Sequence, residues 1–374
     1  MHRYLCTLTW LGLYLLIGGG ATWATSGSVS GSATPTIPIE ELKPGQRGFG
    51  LSVFSGTEPE RFEVEVVGVW ENVKPGISFL LAKLEGHGLE KSGVIAGMSG
   101  SPVYFDGRLA GAVAFSWPFS NEAIAGITPI GAMRRQSRVS LSRTQRPVGA
   151  APLEPADFAT GEFPLSLLTD QLRNFSGALF GDAQAGVQWN SVGFGPKVLD
   201  LLAANLGSVV PAGTTHTDLP SELPPGASVA GVLVDGDLRM AVTGTVTDRE
   251  DEQVLAFGHQ FMGVGPLELP MATSSVVTVI SNQLTSFKIA NIGQVVGAFD
   301  MDRATGVRGQ LGLVAPTLPV RIAVQSEPVH QFNLDIARIP KTTAVLVAIS
   351  ALAALESSSQ TGGIQGLDME ARLS

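Results

Sequence analysis

The chain has 374 residues, enough for one large domain or two ordinary ones that each bury a core. Its formal net charge is −9, and no basic cluster is available to neutralise phosphates, which argues against a nucleic-acid partner. The single cysteine, Cys6, lies in the N-terminal apolar segment, so the mature chain offers no disulfide, thiol nucleophile or cysteine metal site. The 45 glycines and 23 prolines, with many valines, predict short strands joined by tight turns.

The N-terminus carries the pattern of a signal peptide over residues 1–24. Arg3 precedes the apolar run Leu5 to Ile17, and small residues then lead to Ala24, the predicted cleavage position. The run is shorter than the ~20 residues that span a bilayer. We therefore expect export, to a secreted or periplasmic location, with no stable membrane span in the mature chain. Residues 25–38, rich in Ser, Gly, Thr and Pro, predict a flexible leader.

Residues 39–150 are predicted to form a first β-domain. Phe62, Val64 and Val66 alternate with glutamates, which is typical of a half-exposed strand. Further along, Asp106-Gly107 predicts a hairpin, because both central positions favour positive φ.

Directly before this hairpin lies a glycine-flanked serine, in the stretch Gly97-Met98-Ser99-Gly100-Ser101-Pro102. The two glycines let the chain bend so that the Ser99 side chain projects while the amides of Gly97 and Ser99 converge on one point. This is how a nucleophile sits beside an oxyanion hole, and the spacing resembles the nucleophile turn of chymotrypsin-like proteases. A hairpin of small residues that merely packs tightly is the alternative.

The rest of the chain divides by composition. Residues 151–226 are predicted to be a linker and a helical insertion, with apolar residues at helical spacing in 165–180 and 196–206. Residues 227–335 return to a β pattern and form the second β-domain. Residues 336–374 are predicted to contain a helix over 342–355, too short to span a membrane, and a tail.

Among the histidines, His259 is the predicted general base. It follows an apolar strand and Gly258, which places it at a strand end, whereas a turn histidine satisfied by backbone is the alternative. His87, twelve residues before Ser99, is the rival base, and His216 and His330 fall in loop-like contexts. No histidine pair has zinc-ligand spacing, so we predict no metal and no other cofactor.

Two blocks of the chain resemble the SpoIVB serine peptidase family. The similarity covers roughly residues 45–135 and 225–315. It is carried by the stretches Gly97 to Pro102, Asp106-Gly107, Gly111 to Val113, Glu60 to Val66, Gly126-Ile127 and Val254 to His259, the last of which is similar to the family's Gly-Ala-Leu-Gly-His segment. In the family the histidine block comes first, whereas here Ser99 precedes His259 by 160 residues. The resemblance implies a mainly β, chymotrypsin-like double β-barrel with its halves in swapped order, which triads tolerate because geometry defines them.

The resemblance also implies an activity and its residues. Ser99 would be the nucleophile, His259 the base, and the Gly97 and Ser99 amides the oxyanion hole of a serine endopeptidase acting on protein or peptide substrates. The family's Asp before the serine is missing, so Glu85 is the candidate to orient His259, with Asp300 or Asp302 as distant alternatives.

Three expectations follow. Ser99 and His259 should lie within hydrogen-bond reach, at a seam between the barrels that forms a cleft open to solvent. The strand 112–116 should run beside the nucleophile and pair with the substrate backbone. The alternative function is a catalytically inactive peptidase-like module that binds peptides or partner proteins.

Overall fold

The structure is a computed structural model. It describes residues 34–74, 76–117, 119–138, 178–180, 183–185, 188–206, 209–214, 219–324, 329–339 and 342–358. The predicted signal peptide, most of the leader, His216 and residues 165–177 of the helical stretch predicted at 165–180 lie outside the described residues. The described end of that stretch, Ala178–Phe180, is a strand and not a helix, because it pairs with the strand Ala183–Ala185. The predicted domain boundaries stay predictions.

Eight strands form the first sheet, in the order β4-β1-β2-β3-β6-β5-β8-β7. Their bounds are β1 (Arg47–Ser52), β2 (Glu60–Lys74), β3 (Ile77–Glu85), β4 (Pro102–Phe105), β5 (Arg108–Ser116), β6 (Ile124–Pro129), β7 (Ala178–Phe180) and β8 (Ala183–Ala185). Because β4 also pairs with β5, the first six strands close into an antiparallel barrel.

Eleven strands form the second sheet. Their bounds are β9 (Gln188–Val192), β10 (Val209–Pro211), β11 (Gly213–Thr214), β12 (Ser228–Gly236), β13 (Arg239–Glu250), β14 (Gln253–Ala256), β15 (Gly265–Ile280), β16 (Phe287–Arg303), β17 (Gly306–Leu311), β18 (Thr317–Val324) and β19 (His330–Ala337). The strands β12-β13-β14-β17-β16-β15 form a second closed ring, because β12 pairs with both β13 and β15. The predicted mainly β, double-barrel fold is confirmed.

Local sequence patterns account for the first barrel. Phe62, Val64 and Val66 are buried and the glutamates between them are not, as alternation on a half-exposed strand predicts. Asp106 and Gly107 have φ of 50° and 72°, the positive values that the hairpin between β4 and β5 requires.

Few helices accompany the strands. They are a 3-10 turn (Ile39–Glu41), α1 (Leu89–Ser92), α2 (Ile130–Arg138), α3 (Pro196–Leu206) and α4 (Thr343–Ser358). The helices predicted at 196–206 and near the C-terminus are confirmed. Within the described ranges, no helix combines the length and apolar character needed to cross a membrane.

The two barrels meet at β13. Arg134 of α2, which follows the first barrel, donates to Asp248 of β13 through Nε at 3.0 Å and Nη2 at 2.6 Å. Thr128 at the end of β6 donates its hydroxyl to the carbonyl of Gly258, at 2.6 Å. The last strand of the first barrel and the helix that follows it are thereby fixed to residues that flank β14.

Candidate active site

The serine turn, residues 97–101, connects α1 to β4 and lies against the second barrel. Gly97 and Gly100 have φ of +95° and +98°, values that favour glycine. A Cβ on Gly100 would lie 1.9 Å from the carbonyl oxygen of Thr245 and 2.5 Å from the amide nitrogen of Phe257. Glycine at this position is therefore required both by the bend and by direct backbone-to-backbone docking.

Strand β13 holds the carbonyl groups of the serine turn. Thr245 donates its amide to the Ser99 carbonyl at 2.7 Å and its hydroxyl to the Gly97 carbonyl at 2.9 Å. Thr247 donates its hydroxyl to the Gly100 carbonyl at 2.8 Å. The second barrel thus fixes the turn of the first.

The amide groups of the same turn fall into two sets. Met98, Gly100 and Ser101 donate to the carbonyls of Ile95, Val113 and Met98 at 3.0, 2.7 and 2.9 Å. The amides of Gly97 and Ser99 donate to no group in the described part of the chain. Buried amides normally have partners, so these two unpaired donors remain available to a ligand, as the predicted oxyanion hole requires.

His259 follows β14 and Gly258, and only 1 % of its surface is exposed. Its Nδ1 lies 2.6 Å from the carbonyl oxygen of Gln260. Because a carbonyl only accepts, we infer that Nδ1 carries the proton and that Nε2 holds a lone pair. Nε2 is buried and has no hydrogen-bond partner among the described residues. This is the tautomer that a base acting through Nε2 requires.

Desolvation sets the charge of this imidazole. Burial lowers the pKa of His259 to about 4, against the smaller, opposite effect of the Gln260 carbonyl. The ring is therefore neutral at pH 7. It can accept a proton there, but the buried cation that results is costly unless an anion forms nearby.

The structure brings the serine and histidine blocks to one seam. The carbonyl of Val113 accepts the Gly100 amide at 2.7 Å, and a Cβ on Gly258 would lie 2.8 Å from that same oxygen. Gly100 and Gly258, the chain neighbours of Ser99 and His259, therefore both lie at the Val113 carbonyl. Among the described residues, however, the Nε2 of His259 makes no hydrogen bond to the Ser99 hydroxyl, so the predicted contact is absent from this closed form. The expected open cleft is absent at these two side chains, which are 2 % and 1 % exposed, because the turn docks directly on the backbone of β13 and β14.

A known family matches the serine-bearing half of the chain. Residues 21–128 match the SpoIVB peptidase S55 family. The match takes in the barrel strands β1 to β5 and nearly all of β6, together with the serine turn, but less than a third of the chain. No match was found among curated proteins or among solved structures.

This SpoIVB peptidase match confirms the resemblance stated from the sequence and supports a peptidase, a hydrolase that acts on protein substrates. His259 lies beyond the matched residues, so the swapped order of the two blocks stays a prediction. The catalytic roles of Ser99, His259 and Glu85 likewise stay predictions.

The carboxylates predicted as candidates for the third member of the triad make contacts with groups other than the His259 ring. Glu85 pairs with Lys83 at 3.8 Å, while the Nδ1 of His259 is engaged by Gln260. The structure does not join Glu85 to the imidazole. In place of a carboxylate, a backbone carbonyl orients the ring, and no sequence pattern signals that.

Asp302 anchors the loop that follows His259. Its carboxylate accepts the amides of Phe261, Met262 and Gly263 at 2.9, 2.8 and 2.7 Å. Burial raises the pKa of Asp302 against the opposite effect of these amides. Asp300, the other distant alternative, accepts from Arg308 at 2.8 Å. The structure therefore assigns Asp302 to loop positioning rather than to the imidazole.

The rival base, His87, is engaged in the first barrel. Its Nε2 lies 3.0 Å from the carbonyl oxygen of Arg61, and its ring stacks on Phe54 with centroids 4.1 Å apart. Among the described residues, no group of three or more His, Cys, Asp or Glu side chains is placed to hold a metal ion.

One buried ionisable residue beside the turn is not predicted from the sequence. Lys288 of β16 is 2 % exposed, and its Nζ donates to the hydroxyl of Ser52 at 2.9 Å. Its position in a strand of ordinary β pattern gives no sequence signal, because burial of this amine arises only where β16 meets the end of β1.

Proposed function

We propose that the protein is an exported serine endopeptidase in which Ser99 is the nucleophile and His259 the general base. The observation that carries this proposal is the set of unpaired groups at the seam: the Nε2 of His259 and the amides of Gly97 and Ser99. Export is proposed from residues 1–24 and is tested by sequencing the mature N-terminus, which should begin at Thr25.

The unpaired groups suit the steps of acyl transfer. His259 takes the hydroxyl proton of Ser99 as its oxygen attacks the peptide carbonyl, and the two amides bind the negative oxygen that forms. His259 then gives this proton to the leaving amine, which leaves an acyl-enzyme. Water, deprotonated by the same imidazole, attacks the ester and frees Ser99.

The carbonyl of Gln260 takes over part of the role of a triad carboxylate. It fixes the tautomer and the orientation of the His259 ring through Nδ1. It carries no charge, so it stabilises the imidazolium less than a carboxylate would. We therefore expect slower turnover than that of a peptidase with a complete Ser-His-Asp triad.

Substrate access requires a change of conformation. Ser99 and His259 are covered, and β8 pairs with Phe115 and Ser116, the end of the strand proposed to bind the substrate backbone. A substrate strand would replace β8 there while the seam opens around the turn.

The test is covalent labelling by a fluorophosphonate, followed by mapping of the modified residue. The mature wild type should be labelled at Ser99, and Ser99→Ala should lose both labelling and peptide cleavage while keeping its fold. Ser120→Ala, which changes an exposed serine, is the matched control and should behave as wild type. Modification at another serine, or cleavage retained by Ser99→Ala, contradicts the proposal.

A second candidate is the catalytically inactive module that binds peptides or partner proteins. The specific observation in its favour is the closed seam, with Ser99 2 % and His259 1 % exposed. This candidate predicts no labelling of the wild type under any condition that leaves it folded, and peptide binding unaffected by Ser99→Ala.

A further inference from the structure

A second set of buried polar groups lies next to the serine turn. The Nζ of Lys288 donates to the Ser52 hydroxyl at 2.9 Å, and the Ser101 hydroxyl donates to the same oxygen at 3.0 Å. The serines are fully buried and Lys288 is 2 % exposed. The set joins β16 of the second barrel, the end of β1 and the last residue of the serine turn.

The backbone beside Lys288 contacts the other end of that turn. The amide of Lys288 donates to the Ala96 carbonyl at 3.3 Å, and the Ala96 amide donates to the Ser286 carbonyl at 2.8 Å. A Cβ on Gly97 would lie 3.2 Å from the Cδ of Lys288, so the lysine side chain runs directly against the turn. Residues 286–288 therefore hold the serine turn just before its first residue and, through Ser52, at its last.

We propose that Lys288 is a positioning residue of the peptidase: through Ser52 and Ser101 its uncharged amine fixes the turn that presents the Ser99 hydroxyl and the Gly97 and Ser99 amides. This inference rests on the proposed function. It adds a residue from β16 to the site and makes the site sensitive to protonation at a place away from His259.

The hydrogen-bond inventory favours the uncharged form. With a neutral amine, Ser101 donates to Ser52 and Ser52 donates to the lone pair of Nζ, so both hydroxyl protons have acceptors. With an ammonium group, Ser52 accepts twice, and its own proton has no acceptor among the described residues. Protonation of Lys288 therefore keeps both contacts but leaves the buried Ser52 proton without an acceptor, which disfavours this arrangement of the link to Ser101.

The surroundings of the amine agree. Within the described residues no carboxylate pairs with Lys288, and the Phe54 ring lies 5.8 Å from Nζ. Two titratable groups are connected to the amine through this ring. His87 stacks on the Phe54 ring, and the carboxylate of Glu60 lies 3.8 Å from the Nδ1 of His87. Burial lowers the pKa of Lys288 to about 7, so its charge changes in the neutral range.

The pH dependence of the reaction separates this role from that of the base. His259, with a pKa of about 4, is neutral throughout the range above pH 5. If the base alone limits the rate, the acid limb belongs to His259, lies near pH 4 as long as the ring stays buried, and is kept by Lys288→Met. If the turn needs the uncharged amine of Lys288, the limb of kcat lies near pH 7 instead.

The experiment is the pH profile, from pH 5 to 9, of kcat and KM for peptide cleavage by the full mature chain. We expect the wild type to show an acid limb near pH 7. Lys288→Met should lower kcat at least tenfold at pH 8, leave KM within about twofold and lose that limb. Lys288→Arg, which stays charged, should not restore kcat. Lys197→Met, at an exposed lysine of α3, is the matched control and should keep the wild-type profile.

A second variant guards against a folding defect at position 288. Ser52→Ala keeps the lysine and removes the link to Ser101, and it should lower kcat without moving KM. An unchanged limb in Lys288→Met, or full kcat in both variants, overturns the inference. Failure of the proposed function gives a different result, namely no labelling of Ser99 in the wild type. If Ser99 is labelled and the pH profile of labelling is the same in Lys288→Met, only the positioning role of Lys288 is contradicted.

Discussion

Two groups of buried polar atoms at the seam between the barrels differ in how their hydrogen bonds are satisfied. The side chains of Lys288, Ser52 and Ser101 bond to one another at 2.9 and 3.0 Å. The Nε2 of His259 has no partner in the described part of the chain, and the same holds for the amides of Gly97 and Ser99. The first group holds the turn, whereas the second retains hydrogen-bonding capacity that the fold does not use.

This difference indicates where a ligand belongs. A buried polar group without a partner costs about 1–3 kcal/mol, so such groups are rare unless something else satisfies them. A lone pair on Nε2 together with two amide donors matches one hydroxyl proton and one carbonyl oxygen. The paired group offers no such vacancy, and its members therefore act on the turn rather than on a substrate.

Replacement of His259 tests the unpaired group most severely. His259→Phe should lower the cleavage rate at least ~10³-fold, as removal of a catalytic base does. Stability at pH 7.5 should stay within about 1 kcal/mol of wild type, because an aromatic ring still packs against Phe257 and an unpaired nitrogen is removed. Cleavage assays and urea unfolding measure the two effects.

The same variant carries a pH signature. The unfolded chain protonates His259 near pH 6.5, whereas the folded pKa is about 4, so wild-type stability is lost as pH falls between these values. The loss should be roughly 1–3 kcal/mol at pH 4.5 and should be smaller in His259→Phe. An equal acid loss in both proteins would show that His259 is not buried in its neutral form.

Replacement of Lys288 tests the paired group through stability. The unfolded lysine keeps its proton up to about pH 10.5 while the folded amine loses it near pH 7, so wild-type stability rises with pH between these values. The rise should be about 2–4 kcal/mol. Lys288→Met should flatten it and be the more stable protein at pH 7, despite leaving Ser52 with one partner fewer. Thermal unfolding at pH 7 and 9.5 measures both; a wild-type rise that persists in Lys288→Met would mean another group causes it.

Asp302 connects the unpaired group to the rest of the second barrel. Asp302→Asn places an NH₂ donor against amide donors of the 261–263 loop, so we expect a loss of about 1–3 kcal/mol of stability and a roughly tenfold lower kcat as His259 shifts. Asp300→Asn, on the same strand, removes a partly exposed pair with Arg308 and should cost less than about 1 kcal/mol. Equal effects of the two variants would deny Asp302 its positioning role.

Local patterns explain what the sequence predicted. The bends at Gly97 and Gly100 follow from the freedom of glycine, and the first barrel follows from alternation around Phe62 and Val64. Lys288 escaped prediction because its burial depends on how β16 meets β1. The role of the Gln260 carbonyl in orienting His259 was not predicted, because every residue has a backbone carbonyl and no residue type marks this one. The open cleft was expected from protease geometry, but the turn packs onto Thr245 without a gap.

The smallest expected effect concerns Glu85, the carboxylate that proximity in the sequence suggested for the triad. It pairs with Lys83 at 3.8 Å, both side chains are about one-third exposed, and the His259 ring is already oriented by Gln260. Glu85→Gln should therefore leave the cleavage rate within about twofold and stability within about 0.5 kcal/mol of wild type. Lys83→Met removes the same ion pair from the other side together with the Lys83–Glu122 pair at 2.7 Å, so it sets an upper limit on the effect of losing the Glu85 pair. A tenfold fall in kcat confined to Glu85→Gln would mean that Glu85 reaches His259 when the seam opens, and that the carbonyl of Gln260 orients the ring only in the closed form.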